Sequence, residues 1–268
     1  LNNRRAFFLA KLTISALVIT LLTGCVTSSD SRFARGADED AAVRDYVQLA
    51  TAYVAQGNYE RARTHIERAL EINPDSHGAL ATMGLIFQRE GEPELAEKAF
   101  RDSLKQEPSY TRGRVFYAAF LYEQGEYRKA RDEFAMAAAD TGYPDRASVF
   151  YNLGRAEQRL GNASAAAEAF KRSVRLSRGD ARSLLALSTA LVDAGEYDEA
   201  VRHYDRLMAI MARSERISHS PESLLTGIRI ARSQGNQDRA ASLALVLKNQ
   251  FPNSEQYQKY KALMSDDK

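Results

Sequence analysis

Tryptophan is absent from this 268-residue chain, and cysteine occurs once, as Cys25. A lone cysteine closes no disulfide within the chain and excludes a cysteine-rich zinc site. Histidine is scarce as well. His65, His77, His203 and His219 form no pair at the spacing of a helical metal site, so each reads as a surface or partly packed side chain and no metal is expected. Charge of one sign is also missing. Residues 1–24 hold three of the 37 basic residues and none of the 35 acidic ones, which leaves the rest of the chain with an excess of one acid. Without a basic field there is nothing to neutralise phosphates, and a nucleic-acid partner is not expected. The apolar run Leu12–Leu22 is 11 residues long, short of the roughly 20 that a membrane-spanning helix needs. No Gly-rich phosphate loop occurs: Gly91-Glu92-Pro93 and Gly161-Asn162-Ala163 read as turns. Serines and carboxylates are scattered through helical segments with no nucleophile motif around them. An enzyme, a cofactor and a small-molecule substrate are therefore all unsupported.

What the chain does have is a period. Gly57, Gly91, Gly125, Gly161, Gly195 and Gly235 recur at spacings of 34, 34, 36, 34 and 40 residues. Each stands five residues before an alanine: Ala62, Ala96, Ala130, Ala166, Ala200 and Ala240. A period in the thirties, marked by a turn glycine and a small residue, points to an array of helical hairpins, each burying surface on its neighbours. Within the first unit, Val43, Tyr46, Val47, Ala50, Tyr53 and Val54 form one apolar helical stripe. Gln56-Gly57-Asn58 interrupts it, a second stripe runs through Ala62, Ile66, Ala69 and Leu70, and Asn73-Pro74-Asp75 closes the unit.

The beginning of the chain has a different character. Arg4, Arg5 and Lys11 precede the Leu12–Leu22 run, as a basic region precedes the apolar part of an export signal. The run ends in Leu22-Thr23-Gly24-Cys25, which resembles the bacterial lipobox. That resemblance implies cleavage before Cys25 and attachment of lipid to that residue. Asn3-Arg4-Arg5-Ala6-Phe7-Phe8 also loosely resembles a twin-arginine export signal. Lipoproteins retained in the inner membrane typically carry Asp after the lipidated cysteine. This chain has Val26 there, so the resemblance implies an outer-membrane anchor facing the periplasm. The expected organisation is a signal peptide at 1–24 and a flexible lipid-anchored tether at 25–40. A repeat superhelix at 41–254 and a polar capping helix with tail at 255–268 follow.

The repeats resemble the tetratricopeptide repeat. Its large-small pair in the first helix appears as Leu49-Ala50, Met83-Gly84, Tyr117-Ala118, Leu153-Gly154 and Leu187-Ser188. Its bulky residue in the second helix appears as Ile66, Phe100, Phe134, Phe170 and Tyr204, and its closing proline as Pro74, Pro108 and Pro252. Arg178 and Ala212 replace the proline in the fourth and fifth units. The sixth unit has Gly227-Ile228 for the large-small pair and Ala244 in place of the aromatic. The resemblance implies an all-α fold, a right-handed solenoid of six helical hairpins with a C-terminal capping helix. It also implies that first helices line a concave groove that binds a protein segment. Carrying the register across places Val47, Val54, Leu85, Val115 and Tyr122 in an apolar part of that groove, with Tyr151 and Arg155 beyond them in a half rich in arginine.

Lipobox, tether, repeat number and the longer break before the last unit are together similar to the type IV pilus biogenesis lipoproteins of the PilF/PilW family. That family implies a pilotin, a scaffold that binds secretin subunits and promotes their outer-membrane localisation and multimerisation. Two other functions remain open at this point: an adaptor recruiting peptidoglycan hydrolases, and an accessory factor of β-barrel assembly.

Overall fold

The computed structural model describes residues 32–214 and 217–266, all of its regular structure being helical. The expected signal peptide and Cys25 lie outside the described residues. The chain divides into two compact units, residues 1–42 and 43–268; the repeats belong to the second. Among the described residues there are thirteen helices. The first three pairs are α1 (Arg32–Ala55) with α2 (Tyr59–Ile72), α3 (His77–Glu90) with α4 (Pro93–Gln106), and α5 (Thr111–Glu123) with α6 (Tyr127–Ala139). Then come α7 (Arg146–Arg159) with α8 (Ala163–Leu176), α9 (Ala181–Asp193) with α10 (Tyr197–Ala212), and α11 (Pro221–Ser233) with α12 (Gln237–Gln250). The last helix is α13 (Glu255–Asp266). No helix among the described residues is long and apolar enough to cross a membrane.

Each hairpin turns at the periodic glycine. Gly91 has φ 81°, a left-handed conformation that a Cβ would strain, and Glu92 N–H then donates back to the Phe87 carbonyl at 2.9 Å. The same bond recurs at every one of these turns: Asn58 to Tyr53, Glu126 to Leu121, Asn162 to Glu157, Glu196 to Leu191 and Asn236 to Ala231. The turn thus satisfies carbonyls that the helix end would leave bare. The alanine five residues on is buried in all six units and lets the second helix close on the first.

Close approach is set by the small residue of the large-small pair. A Cβ on Gly84 would lie 2.7 Å from the Phe100 ring, and one on Gly154 would lie 2.7 Å from Phe170. In the last hairpin the volumes are exchanged. Ile228 occupies the small position and Ala244 the aromatic one, and both are buried in one cluster with Leu224 and Leu247. The departure seen in the sequence is therefore a compensated swap that keeps the space between the helices filled. Leu49 belongs to the same series as Met83 and Leu187 but is exposed, because the first unit has no preceding hairpin in the repeat unit to cover it.

One sequence-based expectation changes. Residues 32–40, read as the end of a flexible tether, are helical as the start of α1. Asp38, Glu39 and Asp40 are exposed. An exposed helix shows no apolar stripe, which is why periodicity missed it, and the proline-free run from Ala37 to Ala42 tolerates helix throughout. Between the fifth and sixth hairpins, α10 is lengthened to 16 residues and the chain then enters α11 through a capping box of Ser220 and Ser223. At the proline-free turn after α8, Arg178 takes φ 59° and Gly179 φ 89°.

Candidate protein-binding groove

First helices lie beside first helices: α3 touches α5, α5 touches α7, α9 touches α11, and α11 touches α13. The solenoid's inner surface is accordingly built from them. All seven residues assigned to the groove, Val47, Val54, Leu85, Val115, Tyr122, Tyr151 and Arg155, are half-buried. The structure does not bring them into one site. Val47 and Val54 pack against the core of the first hairpin with Ala50 and Ile66. Leu85, Val115 and Tyr122 pack on a second cluster around Phe100, Phe120 and Phe134. The apolar part of the groove is thus partly covered by its own neighbours, since each first helix leans on the next.

Tyr122, Tyr151 and Arg155 do share a cleft of about 540 Å³, together with Arg159, Arg182 and Leu185. Its walls come from α5, α7, α9, α11 and α13. Arginines from one first helix lie over tyrosines of the preceding first helix. The Arg155 guanidinium lies 4.5 Å from the Tyr122 ring centre, and that of Arg182 lies 4.1 Å from Tyr151. Arg159 Nε donates to the Tyr122 hydroxyl at 3.3 Å. On the opposite side, Asp193 is ion-paired with Arg229, and Gln256 donates to Glu222 at 2.9 Å. Glu255 pairs with Lys259 at 2.9 Å on α13. Arg182, Leu185 and Thr189 of α9 line this surface too, though Thr189 is buried, its hydroxyl 2.9 Å from that of Thr226. The contribution of α13 was missed: its polar sequence pointed to a cap, and nothing in it signalled a cleft wall.

The histidines fall outside this cleft. His65 stacks on Tyr53 with ring centres 5.5 Å apart, His77 meets Tyr110 edge-on, and His203 lies 3.5 Å from the Glu199 carboxylate. Burial lowers the pKa of both His203 and His219. Burial also pushes the Tyr204 phenol up to about 12, and its hydroxyl donates to the Ser223 carbonyl at 2.9 Å. No group of acidic, histidine or cysteine residues able to hold a metal occurs among the described residues.

Fold and groove define a repeat scaffold. The tetratricopeptide-repeat profiles match residues 45–106, 81–147 and 151–210. The type IV pilus assembly protein PilF of Pseudomonas aeruginosa is 37% identical over 259 residues, covering 94% of this chain and 99% of that protein. A solved structure of P. aeruginosa PilF superposes with a TM-score of 0.72 at 36% identity, covering 84% of this chain and 99% of the other. The structure of PilW, described as a widely conserved type IV pilus biogenesis factor, gives 0.65 at 25% identity, with 81% and 97% covered. The chain belongs to the PilF/PilW family of tetratricopeptide-repeat proteins.

Proposed function

We propose that this protein is a pilotin: a lipid-anchored scaffold on the periplasmic face of the outer membrane. There it binds secretin subunits and promotes their localisation and multimerisation for type IV pilus biogenesis. The observation that carries this reading is near full-length similarity to a type IV pilus assembly protein, on a fold whose surface features suit binding rather than turnover. Lipid on Cys25 would hold the scaffold at the membrane. The groove would raise the local concentration of its client there without any chemical step. The half-buried side chains Leu85, Val115 and Tyr122 supply apolar contact, and the arginine-lined cleft supplies polar contact.

The test is the state of the secretin in a deletion strain, resolved as monomer or heat-resistant multimer in separated membranes. Loss of outer-membrane multimers, restored by the wild-type gene but not by Cys25→Ala, is the expected outcome. Normal multimers accompanied by altered cell-wall chemistry would overturn the pilotin assignment.

A further inference from the structure

We propose that the cleft between α5, α7, α9, α11 and α13 binds an acidic, extended protein segment, with Arg155, Arg159 and Arg182 holding its carboxylates. This deepens the pilotin reading and rests on it in one respect, that the first-helix face is where the client docks. Among the described residues, none of the three guanidiniums is within ion-pair distance of a carboxylate. Elsewhere, arginines that reach across hairpins end on acids, as Arg63 does on Glu90 and Arg229 on Asp193.

The acids that line the cleft are already engaged. Asp193 is held by Arg229, Glu255 by Lys259, and Glu222 accepts from Gln256. Glu255 acts on Arg159 only through its field. Glu222 keeps its charge, since Gln256 is neutral, and Asp180 acts on Arg182 only through its field. Three arginines without an ion-paired acid thus outweigh one lining carboxylate without a basic partner and leave the cleft with an excess of positive charge.

Their geometry suits carboxylates in particular. A guanidinium held over a ring, as Arg155 is over Tyr122 and Arg182 over Tyr151, is fixed by that contact and keeps an N–H edge that no carboxylate of the described residues pairs with. That edge binds a carboxylate through two parallel hydrogen bonds, and the ring contact holds it in place beforehand. Because Arg155 and Arg182 stand on successive first helices, the site repeats along the solenoid. It fits acidic residues spaced along an extended chain better than a single anion. The volume of about 540 Å³ accommodates a few residues of such a chain.

The test uses the full-length chain in detergent and two fluorescein-labelled decapeptides, one alternating Glu and Ala and the other alternating Gln and Ala, read by fluorescence anisotropy. Binding of the Glu peptide alone, weakening as salt rises to about 0.3 M, is expected. Arg155→Gln with Arg182→Gln should weaken it by about tenfold or more, with an unchanged circular dichroism spectrum. Arg155→Lys should lose part of the affinity, since it keeps the charge without the stacked fork. Arg172→Gln, which removes a guanidinium stacked on Phe150 away from the cleft, should bind as the wild type does. Equal binding of the Gln peptide, full affinity in the folded double variant, or an equal loss in Arg172→Gln would each overturn the proposal. If secretin multimers depend on the protein while the Glu peptide fails to bind, the acidic-segment proposal falls and the pilotin reading stands. If the peptide binds as expected but multimers form without the protein, the pilotin reading falls alone.

Discussion

At the residue scale, the fold depends on contacts that only the smallest side chains permit. Gly154 sits in the middle of α7 because a Cβ there would meet the Phe170 ring at 2.7 Å, in a core where that ring is fully buried. Gly154→Ala would gain helix propensity of about 1 kcal/mol. It would also force the ring to move, at a cost of about 1–3 kcal/mol. We expect a net loss of about 1 kcal/mol, seen as a lower urea midpoint with an unchanged slope. The opposite case is Arg178, an arginine held at φ 59° at a place where the first, second and sixth units have proline. Asparagine tolerates that conformation better than a long side chain. Arg178→Asn should raise the melting temperature through a gain of about 0.5 kcal/mol, and an unchanged or lower value would show that the backbone there is not strained.

At the scale of the element, α13 closes the array. Tyr257 and Tyr260 pack against the cluster of Leu224, Ile228 and Leu247, and Gln256 ties the helix to α11 through Glu222. Removing residues 255–268 should therefore lower stability by about 2 kcal/mol, the loss of two half-buried aromatic side chains, and should open one wall of the cleft. Equilibrium urea unfolding of the shortened chain checks this. The helices themselves were legible because each carries its own signal: a turn glycine, a packing alanine, and a large side chain matched to a small one. What the sequence did not show was relational. The start of α1 has no apolar stripe to announce it. The exchange of Ile228 and Ala244 reads as two separate departures until both are seen in one cluster. The cleft joins residues from five helices, and the stacking of Arg155 on Tyr122 is not written in either residue alone.

For the repeat unit as a whole, stability passes from neighbour to neighbour, so the weakest junction decides where it opens. Two histidines mark that junction. His203 on α10 is half-buried, with its Nδ1 lacking a hydrogen-bond partner, and His219 precedes α11 with its Nδ1 3.1 Å from the Ser223 hydroxyl. Burial depresses both pKa values below the ordinary 6.5, although Glu199 draws His203 the other way and Arg202 and Arg206 assist the depression. The folded state therefore binds fewer protons than the unfolded one in this range. The contribution is fully present above about 6.5 and is lost as pH falls through the folded values. His219 leads directly into α11, and His203 stands on α10, which touches α11; the sixth hairpin's own cluster contains only four buried apolar residues. Acidification from pH 7.5 to 5.5 should then lower hydrogen-exchange protection in α11, α12 and α13 more than in α7 and α8, after correction for intrinsic exchange rates. Replacing both histidines with glutamine should remove most of that difference. A uniform loss of protection along the solenoid, or one unaffected by the replacement, would assign the acid sensitivity to carboxylates spread over the whole array.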